Sequence, residues 1–377
     1  MTRPPLRVWV WTAAVIALAV VAALLWAGSD AAATESTTAA PAGVPDGTPA
    51  GTVSAAWDAP TSTTGPRPAV HAGRVVVAGE HGVRALDVET GDEAWRYTRA
   101  NAVLCDWTLV GSLVVAVFRT EDRCDEALAL AADTGVRAWT RNVDLRSDMT
   151  LSSTDGIVLA AAPTGIVTID PVGDAIRWRQ AAPEGCRLDG ADVGAAGVVV
   201  LQRCRGTDAP QLRLFDGYGG SALWTRDVLD DSAVLADVDR AVTVAGDAGV
   251  QLFAGADGAP LGTPALSAGE DPVLVTGVGD TALVLADGEL GALDQTSGTV
   301  RWQVPATGLP TGPADAKTLA TGTTVPVAEG DAVVLRDLGT GVEQSRSRAP
   351  ELPPDALVTV AGPVVVLQLP DRVVAHR

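Results

Sequence analysis

Lysine is almost missing from this chain: Lys317 is the only one, and Asn101 and Asn142 are the only asparagines. Against 27 basic residues stand 46 acidic ones, a net charge of −19. A surface of that sign repels phosphate backbones, which argues against nucleic acid as a partner. Histidine is nearly as scarce, with His71, His81 and His376 far apart in sequence. Because no Cys-x-x-Cys pair accompanies them, a zinc site is not expected. A Gly-Lys-Ser/Thr phosphate loop, a Gly-x-Ser-x-Gly elbow and a His-Glu-x-x-His helix are all missing. Beyond the N-terminus no long stretch repeats every 3.6 residues, so folds that alternate strands and helices fit poorly.

What is present begins with a membrane signal. Residues 1–7 are short and basic, and residues 8–27 are uncharged and mostly apolar, long enough to cross a bilayer as a helix. Trp9, Trp11 and Trp26 flank that run, where indoles favour the headgroup region. Arg3 and Arg7 before it and Asp30 and Glu35 after it predict a cytoplasmic N-terminus and an extracytoplasmic remainder. Ala31-Ala32-Ala33 offers a signal-peptidase alternative, but a secretory apolar core is usually shorter, and an uncleaved anchor is the expectation. Residues 28–52 are rich in Ala, Thr, Pro and Gly without apolar periodicity, which predicts a flexible linker.

From residue 53 to 377 the chain repeats. Ala85–Trp95 (ALDVETGDEAW) recurs as ALAADTGVRAW ending at Trp139, TIDPVGDAIRW at Trp178, LFDGYGGSALW at Trp224 and ALDQTSGTVRW at Trp302. Leu252–Gly262 and Leu335–Ser345 keep the turn and lose the tryptophan. Short strands in a unit of about 40 residues are the signature of an all-β propeller. The tryptophan-equivalent positions 57, 95, 139, 178, 224, 262, 302 and 345 mark the units. The strand carrying Trp57 has no partner before it, and the last strands stop before a tryptophan is reached. The two ends are therefore expected to complete one blade together, closing eight blades without an open edge. Trp57, Trp95, Trp139, Trp178, Trp224 and Trp302, at one register, are expected to be structural, packed where blades meet.

The Ala-x-Asp-x-x-Thr-Gly-x-x-x-Trp pattern resembles the repeats of quinoprotein-type, pyrroloquinoline-quinone-like β-propellers. That family includes quinone-dependent alcohol dehydrogenases and also non-catalytic propellers, such as an outer-membrane assembly scaffold of Gram-negative bacteria. The dehydrogenases of the family carry a vicinal disulfide, a calcium-like ion held by Glu, Asn and Asp, and a catalytic Asp. Here no two cysteines are adjacent and neither asparagine lies in an acidic cluster, so no catalytic, cofactor or metal residue is carried over.

The four cysteines instead fall 19 and 18 residues apart, as Cys105 with Cys124 and Cys186 with Cys204. Four cysteines allow three connectivities. Equivalent placement in two blades favours these two local bridges, which suit an oxidising exterior. Asp227-Val-Leu-Asp-Asp and Asp237-Val-Asp239 lack the order of a calcium loop and read as solvated loops. The expected function is non-catalytic: a membrane-anchored scaffold without cofactor that binds an envelope protein or polymer. The alternatives are a quinone-dependent oxidoreductase and a sensor of a small ligand in the central funnel.

Overall fold

The computed structural model describes residues 6–62, 67, 69–120, 122–207, 209–262, 266, 273–311, 323–350 and 352–377. Arg3 and Lys317 lie outside the described residues. Apart from the helices Leu6–Ala27 and Asp30–Ala33, the named elements are all strands. The first helix is the one described helix long and apolar enough to cross a membrane.

The strands form antiparallel meanders in chain order. The first sheet runs from Val70 to Arg99, the second from Val103 to Leu145, the third from Thr150 to Ala181 and the fourth from Cys186 to Asp227. The fifth spans Val234–Ala254 with three strands, plus a bridge from Phe253 to Pro260. The sixth covers Leu274–Pro305. The seventh sheet joins two meanders, one from Gly308 to Arg348 and one from Ala356 to His376. They meet where Gly308–Pro310 runs parallel to Ala356–Val358. The strand Ala55–Pro60 pairs antiparallel with Arg372–His376, so the terminal meander takes its outer strand from the start of the repeats.

The second strands explain the packing. Val75–Val77, Val114–Phe118, Ile157–Ala160 and Val198–Leu201 are continuous apolar runs, buried throughout rather than at alternate positions. A strand reads that way when both faces of its sheet are covered. The cores lie accordingly between consecutive meanders: Trp95 and Tyr97 of the first sheet pack with Trp107, Phe118 and Leu128 of the second. Val75, Val77 and Leu86 on the opposite face of the first sheet pack with Val364, Val366 and Val373 of the last meander.

Residues 28–52 differ from the flexible linker expected of their composition. Ser29 caps the short helix Asp30–Ala33, its hydroxyl accepting from the Ala32 amide. Thr34–Ser36 then adds a fifth strand to the first sheet, with Thr34 opposite Arg99 and Ser36 opposite Tyr97. The segment has too little apolar surface to fold alone, but an outer strand presents unpaired N–H and C=O groups, and pairing with them supplies the order that composition cannot.

Candidate functional site

The first strands of successive sheets converge on a cavity of about 600 Å³. Its wall carries Thr108–Gly111, Leu151–Ile157, Asp192–Gly197, Asp237–Arg240 and Val275–Thr276, completed by Leu309, Thr311 and Leu357. Turn residues Gly111, Asp155, Gly156, Ala195 and Gly279 are among the lining, as is Tyr218, with the Arg177 guanidinium 4.9 Å from its ring centroid. The mouth therefore opens at the end of the strands where the first strand of each sheet turns into the second.

Carboxylates on this wall and beside it are committed to the frame. Asp106 accepts from the Trp107 amide at 2.9 Å and from the Leu151 amide of the following sheet at 2.7 Å. Arg67, which lines the cavity, holds the same carboxylate at 2.8 Å. Two sheets further on, Asp192 repeats the arrangement, accepting from the Val193 amide at 2.8 Å and from the Val238 amide at 3.2 Å. Gln295 donates to Asp239 at 2.9 Å while its side-chain oxygen accepts from the Arg240 and Ala241 amides, each at 2.9 Å. Each of these side chains fastens one sheet to the next through a buried backbone donor that would otherwise lack a partner.

Asp192, Asp237 and Asp239 share one stretch of wall. Withdrawal from water raises Asp192 to about 6, against the lowering effect of the hydrogen bonds it accepts from the Val193 and Val238 amides. Asp237 is raised well above the ordinary carboxylate range, by burial first and then by the charges of Asp192 and Asp239. Asp192 can therefore accept and release a proton near neutral pH. Asp237 and Asp239 were expected in a solvated loop; the strand Val234–Val238 instead carries Asp237 into the wall, and Asp239 follows in the bend after it. Asp230, in the other acidic stretch, is spent on a turn, accepting from the Ser232 amide at 2.9 Å and the Ala248 amide at 2.8 Å.

The sequence-predicted residues lie elsewhere. Cys105 is bonded to Cys124 and Cys186 to Cys204. Each of the six repeat tryptophans donates its indole N–H to a backbone carbonyl of the following meander: Trp57 to Val88 at 3.1 Å, Trp95 to Ala132 at 3.0 Å and Trp139 to Pro171 at 2.7 Å. Trp178 reaches Gly217 at 3.0 Å, Trp224 Gly255 at 2.9 Å and Trp302 Leu338 at 2.7 Å. His81 borders a separate, open recess of about 510 Å³ with Asn101 and Arg119. No group of three or more His, Cys, Asp or Glu among the described residues is arranged to hold a metal ion.

A family model described as outer membrane protein assembly factor BamB matches residues 38–169 and 163–346. The assembly factor BamB from Moraxella catarrhalis is similar in structure, with 17% identity, a TM-score of 0.49, and coverage of 86% of this chain and 99% of that one. The computationally designed Ika8 protein gives 15% identity and a TM-score of 0.53 over 84% of this chain and 98% of its own. A quinohemoprotein alcohol dehydrogenase from Pseudomonas putida HK5 gives 12% and 0.49 over 86% and 76%. No curated protein matches by sequence.

Proposed function

This chain belongs to the family of the outer membrane protein assembly factor BamB, and on that premise we propose that it is a non-catalytic scaffold that binds an envelope protein or polymer. The observation that carries this reading is the use made of the cavity wall. Asp192 and Asp239 on the wall, and Asp106 beside the lining Arg67, are engaged with backbone amides, an arginine or a glutamine of the frame. Side chains held in that way stiffen a rim on which a partner docks.

The domain boundaries follow from the same reading. Residues 1–7 stay in the cytoplasm, 8–27 cross the membrane as an uncleaved anchor, and 53–377 form one extracytoplasmic propeller. Two disulfides suit that compartment. Among the described residues, eight apolar cores between consecutive meanders, with the first sheet packed on the last, support a closed ring of eight blades. Pairing of Ala55–Pro60 with Arg372–His376 supports the shared last blade. The six repeat tryptophans act as structural hooks between blades.

A second reading is favoured by the cavity itself: about 600 Å³ with titratable carboxylates would admit a small cationic ligand. Titration of the full-length protein with pyrroloquinoline quinone and calcium separates the scaffold from an oxidoreductase. The scaffold predicts no spectral shift of the quinone and no alcohol-dependent dye reduction; turnover in that assay would overturn it.

A further inference from the structure

The segment between the apolar helix and the repeats fixes which end of the propeller meets the membrane. Asp30 stands three residues beyond Ala27, the last residue of that helix. It is anchored twice: to the Arg99 guanidinium at 2.8 Å, and to the Asn101 side-chain amide at 2.7 Å. Arg99 is buried and also pairs with Glu126. The Ala100 amide donates to the Ala33 carbonyl at 2.8 Å. Three residues of extended chain reach about 10 Å, and the headgroup layer is about 5–8 Å deep on each side of the hydrocarbon. Arg99 and Asn101 are therefore held at the membrane surface if the helix spans.

From there the segment leads away from that end. Thr34–Ser36 descends the outer edge of the first sheet, with Glu35 paired to Arg96. The Ala39 amide then donates to the Thr134 carbonyl of the second sheet at 2.9 Å. The chain next crosses the turns at the far end of the strands. Gly73 and Gly362 sit there with φ of +73° and +60°, and a Cβ on either would overlap the carbonyl oxygen of Gly43 or Pro45. The Val53 amide finally reaches the Arg348 carbonyl at 2.8 Å. The strap thus crosses from the Arg99 end of the strands to the turns of Gly73 and Gly362, spans the seam between the first sheet and the last meander, and then meets the outer strand of the preceding meander at Arg348.

Gly73 and Gly362 belong to the same class of turn as Gly111 and Ala195, which line the cavity mouth. Asn101 lies at the opposite end, before the strand Val103–Val110. Eight residues at about 3.3 Å each separate the two ends by roughly 25 Å. We propose that the end of the propeller bearing Arg99 and Asn101 rests against the lipid surface, and that the cavity mouth faces away from it. This rests on the membrane-anchor reading above. The tether is too short to let the ring turn over, so the mouth is presented to partners in the aqueous space.

The test places an environment-sensitive fluorophore on single introduced cysteines, Glu80→Cys at the Asn101 end and Ala195→Cys at the mouth, in the full-length protein in phosphatidylcholine vesicles. Both positions are exposed, and Glu80 lies in the turn whose carbonyl accepts from the Leu104 amide. Headgroup-nitroxide lipid should quench the Glu80→Cys probe severalfold more than the Ala195→Cys probe. Inserting twenty Gly/Ser residues between Gly28 and Ser29, which leaves the strap docked, should abolish the difference. Equal quenching in the parent protein, or stronger quenching at the mouth, would overturn the orientation. A difference unchanged by the insertion would overturn the role of the short tether. Failure of the protein to float with vesicles would instead remove the anchor reading, and this inference with it.

Discussion

Trp95 lies flat against Gly135, the turn glycine of the following sheet, while its indole N–H donates to the Ala132 carbonyl at 3.0 Å. Gly135 has φ of +72°, and a Cβ there would lie 2.7 Å from the Trp95 ring. The turn and the tryptophan therefore form one joint between two sheets, which is why the sequence repeats them together.

Replacing the fully buried Trp95 with alanine is expected to cost about 3–5 kcal/mol, the range for large aromatic truncations. Gly135→Ala should also destabilise, through the overlap with Trp95 and through its left-handed backbone. In the double variant the overlap with the ring is gone and only the contact with the residue-95 Cβ is left, so the combined loss should be smaller than the sum. Urea denaturation of the four proteins measures this, and strict additivity would contradict the joint.

The disulfides close loops of 19 and 18 residues. A loop of that size stabilises by about 3 kcal/mol in the chain-entropy account. The paired variants Cys105→Ala with Cys124→Ala, and Cys186→Ala with Cys204→Ala, should each lower the denaturant midpoint by a corresponding amount. Reductant should lower the parent's midpoint and leave that of the variant lacking both bridges unchanged.

The cavity carboxylates give stability an acid-side preference. Asp192 is raised from the ordinary range to about 6, so the folded protein holds a proton that the unfolded chain releases near pH 4. That contribution is fully present below pH 4 and is lost as pH rises through about 6; burial raises the Asp237 carboxyl in the same direction and adds to the decline. Asp192→Asn removes the titration while its single oxygen keeps only one of the two amide hydrogen bonds, so it should lower stability overall and flatten the decline between pH 4 and pH 7. Denaturation curves across that range measure the slope, and an unchanged slope would contradict the assignment.

Asp294 works in the opposite direction. Its hydrogen bond to Arg301, helped by the Thr296 and Ser297 amides, holds it at about 2. A depressed carboxylate stabilises above its unfolded value near 4, and the contribution is lost as pH falls through 2. Arg301→Met should therefore bring acid unfolding to a higher pH. A midpoint equal to the parent's would show that the Arg301 pair contributes nothing.

The repeats were legible because their chemistry is local. A turn needing positive φ beside an indole at fixed distance imposes residue types at a fixed spacing, and Cys186 and Cys204 face each other across adjacent strands. Asp237 and Asp239 were not legible as wall residues, since an acidic chain offers carboxylates everywhere and only the converging first strands distinguish these. The strap escaped for another reason. Thr34 and Glu35 meet Arg99 and Arg96 more than sixty positions later, and composition reports nothing about an edge so distant in sequence.

Affinity capture from cross-linked native membranes tests the central reading most directly, using the full-length protein, a form lacking residues 53–377, and a mouth variant carrying Tyr218→Ala and Arg240→Ala. The scaffold account predicts one envelope component recovered in near-stoichiometric amount, lost with the deletion and depleted by the mouth variant. No enriched component across replicates, or one retained by the anchor alone, would contradict it.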